Sequence, residues 1–131
     1  MHERARRARV RDFRFPRSDR GRVPSPRLST RLRLMAELLS ADQVAAGLAD
    51  LDDWSGDTSG ITRTVALPTF LSAIAVVDRV ATVAEGADHH PDIDIRWRNL
   101  TFSCATHSAG GVTAKDLALA HRIDEIVAAA K

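Results

Sequence analysis

Cysteine is nearly missing. Cys104 is alone among 131 residues, so no disulfide can close within the chain, and a reducing cytoplasm fits. No run of about 18 apolar residues occurs, which excludes a membrane-spanning helix. The basic N-terminus has no apolar stretch behind it, so it is not a secretory signal. Residues 1–33 hold too few large apolar side chains (Phe13, Phe15, Val23) to build a core, and Pro16, Pro24 and Pro26 interrupt any helix there. What is present is ordinary globular usage, 44% hydrophobic and 27% charged, which rules out wholesale disorder and suits one domain.

The net charge of +2 conceals two opposite halves. Residues 1–33 carry 12 arginines against Glu3, Asp12 and Asp19, a net of +9. Residues 34–131 carry 7 basic and 14 acidic side chains, a net of −7. The chain therefore divides into an arginine-rich extension, 1–34, expected to be disordered, and a folding unit, 35–131. The extension reads as an arm for nucleic acid or an anionic surface, or as a tail without a role. Met35 opens directly onto the foldable text, so a third reading places the upstream residues outside the native protein.

The folding unit opens with a capping box, Ser40 with Gln43, and Val44, Leu48 and Leu51 at helical spacing, predicting a helix over 41–51. Asp52 and Asp53 end it and Trp54 begins a strand. Gly56, Asp57, Ser59 and Gly60 supply a turn, and the β-branched run Ile61 to Leu67 a second strand. Thr69 is a candidate N-cap for a long helix through Glu85, with Phe70, Ile74, Val77, Ala81 and Ala84 as its apolar stripe. Leu71, Val76, Val80 and Val83 widen that stripe, as expected of a well-buried helix or a subunit contact. Gly86 is read as the stop. Two alternating runs follow, Ile93-Ile95-Trp97 and Leu100-Phe102-Cys104, with the hairpin turn at Arg98-Asn99. Gly110 and Gly111 break the chain again. Thr113 and Asp116 form another capping box, and Leu117, Ala120, Ile123 and Val127 mark the last helix. This order predicts an α+β, two-layer fold: a four-stranded antiparallel sheet in ββαββα order, helices on one face, and an extra N-terminal helix.

Four of the five histidines fall between residues 89 and 121. His89 and His90 are adjacent in a loop, between Asp88 and Pro91. His107 follows the second hairpin strand. Glu85 and Asp116 stand at the ends of neighbouring helices. Imidazoles give and take protons near neutrality, and carboxylates hold them in the working tautomer, so the set suits general acid–base chemistry. Each residue also has a plainer role open to it. Asp116 caps its helix, Trp97 packs in a strand, Cys104 sits in the core, and His121 lies within a helix, at its surface or in its packing. Glu85 at a helix C-terminus opposes the dipole, which favours a role in the site.

The spacing of Glu85, His89-His90-Pro91, Trp97, His107 and Asp116 resembles the signature of the pterin-4a-carbinolamine dehydratases. Leu51-Asp52-Asp53-Trp54, Arg79-Val80-Ala81, Thr106-His107, Gly110-Gly111-Val112-Thr113 and Asp116-Leu117 are similar to further stretches of that family, over residues 38–127. Val76 departs, since many relatives carry a larger aromatic there. The resemblance implies dehydration of 4a-hydroxytetrahydrobiopterin to quinonoid dihydrobiopterin, recycling the pterin for an aromatic amino acid hydroxylase. It implies no metal and no organic cofactor, a cytoplasmic homodimer or homotetramer, and no membrane or nucleic-acid partner. His89 and His107 become the acid–base pair beside the hydroxyl. His90 orients the pterin, and Asp116 or Glu85 orients an imidazole. Asp88, Pro91, Ala105, Thr106 and Ser108 join the histidines in contacting substrate. Against this stand a zinc site built on the same histidines and Asp116, which adjacent histidines serve poorly, and a non-catalytic assembly or dimerisation cofactor on the same fold.

Overall fold

The computed structural model describes residues 37–131; the arginine-rich segment and its boundary lie outside the described residues. The elements are α1 (Ala41–Leu48), β1 (Ser55–Asp57), β2 (Gly60–Ala66), α2 (Phe70–Ala87), β3 (Asp92–Arg96), β4 (Asn99–Cys104) and α3 (Ala114–Ala130). The strands form one antiparallel sheet in the order β1-β2-β4-β3. This is the expected two-layer α+β architecture with α1 as the extra helix.

Alternation along β2 and β4 sorts the sheet into two faces. Ile61, Val65, Leu100, Phe102 and Cys104 are buried with Val76 and Val80 of α2 and Leu119, Ile123 and Val127 of α3 in one core. Thr64 and Thr101 lie opposite each other on the other face, their hydroxyls 2.9 Å apart. Arg63 is the exception on the inner face. It is buried, pairs with Asp124 of α3 at 2.6 Å and reaches Asp53 at 3.4 Å. Asp124 also accepts the indole N–H of Trp54 at 2.7 Å. One carboxylate thus ties the segment before β1, strand β2 and helix α3 together.

Several boundaries differ from the sequence reading, each for a local reason. Helix α1 stops at Leu48, and Leu51 is buried from the turn that follows. Trp54 precedes the first strand. Gly86 does not stop α2, because a helix interior tolerates glycine at a cost of about 1 kcal/mol. The stop is Asp88, in the left-handed conformation at φ 52°. Its N–H donates to Glu85 and that of His89 to Ala84, at 3.2 and 3.0 Å, the bond pair of a Schellman cap. The buried stripe of α2 is Ala73, Val76, Val80 and Ala84; Phe70 and Leu71 are 47% and 79% exposed. The β3–β4 turn is Trp97-Arg98, one residue earlier than read, since Arg96 pairs with Asn99. Trp97 is at φ 58° and 67% exposed, with the Arg98 guanidinium 4.8 Å from its ring centroid. It therefore does not pack in a strand.

Candidate active site

Two helix ends and one loop build the site. The Schellman cap of α2 fixes the backbone of His89, and the first turn of α3 presents Asp116. Between them the loop after β4 is held at several points. Thr106 N–H donates to Gly111 at 2.8 Å, Val112 N–H to Thr58 at 2.9 Å, and Leu39 N–H to Val112 at 2.9 Å. Gly111 is needed there, because a Cβ at this position would stand 2.5 Å from the Thr58 carbonyl oxygen.

Asp116 is fully buried and every close partner donates to it. Oδ2 accepts the Thr106 hydroxyl at 2.7 Å and the Thr113 N–H at 2.9 Å, the latter closing the expected capping box. Oδ1 accepts His89 Nε2–H at 2.6 Å. Helix cap and imidazole holder are thus one carboxylate. The directions follow from proton count. Thr106 gives its only hydroxyl proton to Asp116, so it accepts that of Thr113 at 2.8 Å, and Thr113 accepts the Lys115 N–H at 3.2 Å. With Nε2–H committed to the carboxylate, Nδ1 is the nitrogen His89 keeps for other work. The His89 side chain is 11% exposed, enough to be reached and too little to swing freely.

The remaining candidates fall into separate groups. His90 Nε2 donates to Glu85 at 2.9 Å, with both side chains exposed. His107 and Ser108 are exposed in the turn between Thr106 and Gly111, and Asp88 is exposed at the α2 cap. Pro91 and Ala105 are half-buried. Thr106 is buried, and its hydroxyl serves Asp116. The structure thus joins His89, Asp116 and Thr106 directly and His90 to Glu85. It gives His107 no hydrogen bond to either group among the described residues. It also forms no metal-holding cluster of three or more His, Cys, Asp or Glu side chains among those residues. Cys104 lies beneath, its thiol pushed up to about 12 by burial and then by the charges of Asp116 and Asp92.

A cavity of about 610 Å³ opens beside His89 between the C-terminal half of α2 and the N-terminal half of α3. Val83, Gly86 and Ala87 face Ala118 and Leu119 across it. None of the other candidates lines it, and the sequence reading assigned none of its helical walls to the site. The available signal was the spacing of residues 115, 118, 119 and 122, which places them on one face of α3.

Over residues 37–126 the sequence matches the family described as Pterin 4 alpha carbinolamine dehydratase. A Nocardia farcinica protein named "Putative pterin-4-alpha-carbinolamine dehydratase" is 56% identical over 93 residues, covering 71% of this chain and 98% of the relative. A Roseiflexus castenholzii protein of the same name is 53% identical over 93 residues, covering 71% and 100%. Among solved structures, one described as a transcriptional coactivator/pterin dehydratase from Brucella melitensis superposes with a TM-score of 0.66 at 30% identity, covering 68% of this chain and 97% of that one.

Proposed function

The chain belongs to the pterin 4 alpha carbinolamine dehydratase family, and from that membership we propose that it dehydrates 4a-hydroxytetrahydrobiopterin to quinonoid dihydrobiopterin in a tetrahydrobiopterin recycling route. The observation that carries the proposal is His89 held by a buried carboxylate at 2.6 Å with its second ring nitrogen left over. The reaction needs an acid that protonates the C4a hydroxyl and a base that takes a ring N–H proton. As the C4a–O bond breaks, its electron pair leaves with water. The pair freed from the N–H bond becomes the new double bond at C4a, so one water is lost and nothing is oxidised or reduced. His89 and His107 take these two roles, Asp116 holds His89 in one tautomer, and His90, positioned by Glu85, orients the pterin. Asp88, Pro91, Ala105 and Ser108 form the surrounding contact surface. No step calls on a metal or an organic cofactor.

The chain acts in this proposal as a homodimer or homotetramer in the cytoplasm, supplied by an aromatic amino acid hydroxylase. The exposed apolar start of α2, Phe70 and Leu71, supports self-association. Stopped-flow absorbance of freshly generated 4a-hydroxytetrahydropterin, with and without catalytic amounts of the full chain, tests the activity. Acceleration over the buffer rate is expected. No acceleration would leave the chain as a non-catalytic assembly or dimerisation cofactor on the same fold.

A further inference from the structure

We propose that Thr106 is a positioning residue for the dehydration, whose hydroxyl acts on His89 through Asp116 and holds that imidazole in register with His107. Thr106 takes this role within the dehydratase reading, on which the proposal rests. Two imidazoles that move protons at one ring must stand at fixed places, yet His89 and His107 share no hydrogen bond among the described residues. Thr106 touches the support of both.

Its backbone serves His107. The Thr106 N–H donates to the Gly111 carbonyl at 2.8 Å, and the Thr106 carbonyl accepts the Ala109 and Gly110 N–H groups at 3.0 and 2.9 Å. His107 and Ser108 lie between these anchors and are exposed. The His107 side chain has no hydrogen bond of its own among the described residues, so the closed turn is what presents it.

Its side chain serves His89. Thr106 is 5% exposed, and its hydroxyl donates to Asp116 Oδ2 at 2.7 Å while accepting from Thr113 at 2.8 Å. A hydroxyl has one proton; with that proton given to Asp116, none is left to donate to a ligand. Asp116 Oδ1 takes the His89 Nε2–H at 2.6 Å, the one hydrogen bond of that ring among the described residues. Without the Thr106 hydroxyl, Oδ2 keeps only the Thr113 N–H. A carboxylate tied by one bond on that side can turn, and His89 turns with it. Misplacing a reacting group by about 1 Å costs on the order of 100-fold in rate.

The test compares Thr106→Val, which keeps the shape without the hydroxyl, with Thr106→Ser, which keeps the hydroxyl. Thr106→Ala is a second hydroxyl-free variant, with room for a water should the valine not fold. Thr106→Val is expected to lower kcat by about 10- to 100-fold. KM for 4a-hydroxytetrahydropterin, and the affinity for unreactive biopterin followed by its fluorescence, should stay within about twofold. Thr106→Ser should bring kcat back to within about threefold of wild type. Nitrogen NMR of the histidine rings gives a readout that needs no turnover. Wild-type His89 should carry its proton on Nε2 and leave Nδ1 bare. In Thr106→Val that proton should exchange with water about tenfold faster or more, while the His107 ring signals stay in place because the main-chain anchors remain. A higher KM at unchanged kcat would make Thr106 a substrate contact and overturn the inference. So would a folded hydroxyl-free variant with wild-type kcat, an equal loss in Thr106→Ser, or His107 signals displaced along with those of His89. A wild-type His89 protonated on Nδ1 would overturn it without any variant. An inactive wild type would sink the dehydratase reading; an active wild type with an indifferent Thr106→Val would sink this inference alone.

Discussion

Asp116 concentrates the physics of the site at a single residue. Its two oxygens accept from three donors and terminate a directed chain of hydroxyls, so its side chain has one orientation and fixes that of His89. Asp116→Ala strands the Thr106 hydroxyl and the Thr113 N–H in the interior. We expect a loss of about 2–4 kcal/mol in chemical denaturation. Asp116→Asn keeps the volume but can turn an N–H toward Nε2, favouring the wrong tautomer. It should therefore lower kcat by about 100-fold or more at a smaller cost in stability. Cys104 offers a pH test of the same interior. Its thiol is raised from 9.0 to about 12, so the folded chain keeps the proton that the unfolded chain gives up first. Its stabilising contribution is whole below pH 9.0 and is lost as pH rises toward about 12. Urea midpoints of the wild type should fall faster above pH 9.0 than those of Cys104→Ala. At this scale the spacing singled out the histidines, Glu85 and Asp116 as candidates, and the structure pairs His89 with Asp116 and His90 with Glu85. The spacing also gave the Thr113–Asp116 capping box, but not that the Thr106 hydroxyl serves Asp116 and accepts from Thr113, because hydroxyl donors leave no periodic trace.

Among the elements, α2 and the loop after β4 bring the histidines to their stations, and two glycines there answer to opposite constraints. Gly86 lies inside α2, and a Cβ would meet nothing within 4 Å. Gly86→Ala should therefore stabilise the fold by about 0.5–1 kcal/mol and narrow the cavity, raising KM more than it lowers kcat. Gly111→Ala places a methyl 2.5 Å from the Thr58 carbonyl oxygen. The loop must shift, at about 1–3 kcal/mol, and activity should fall with stability as Thr106 moves off Asp116. Both would be read from thermal melts beside steady-state kinetics. Asp124→Ala leaves buried Arg63 and the Trp54 indole N–H without their shared acceptor, and should cost about 2–4 kcal/mol in denaturant. Capping boxes at Ser40 and Thr113 and β-branched alternation were legible and placed these elements well. The end of α2 was not. Glycine is the usual signal for a left-handed cap, and here an aspartate adopts that conformation two residues later. Likewise the stripe of α2 was misphased because apolar residues nearly encircle it.

Over the whole molecule, the described body buries its apolar side on one face of a four-stranded sheet yet leaves Phe70 and Leu71 in solvent at the start of α2. Sedimentation of the full chain should give a mass above the 14.3 kDa of one copy, and Leu71→Glu should lower it. The order of strands and helices sufficed to read this architecture, since two hairpins each followed by a helix leave few ways to cover one sheet face. The cavity between α2 and α3 was not legible, because it exists only where two helices distant in sequence part company. The central claim, that a carboxylate-held imidazole moves the protons of a pterin dehydration, is tested most directly by kcat of His89→Ala on 4a-hydroxytetrahydropterin, with folding checked by circular dichroism. The account predicts a folded protein slowed by about 100- to 10,000-fold; a folded variant dehydrating at the wild-type rate would contradict it.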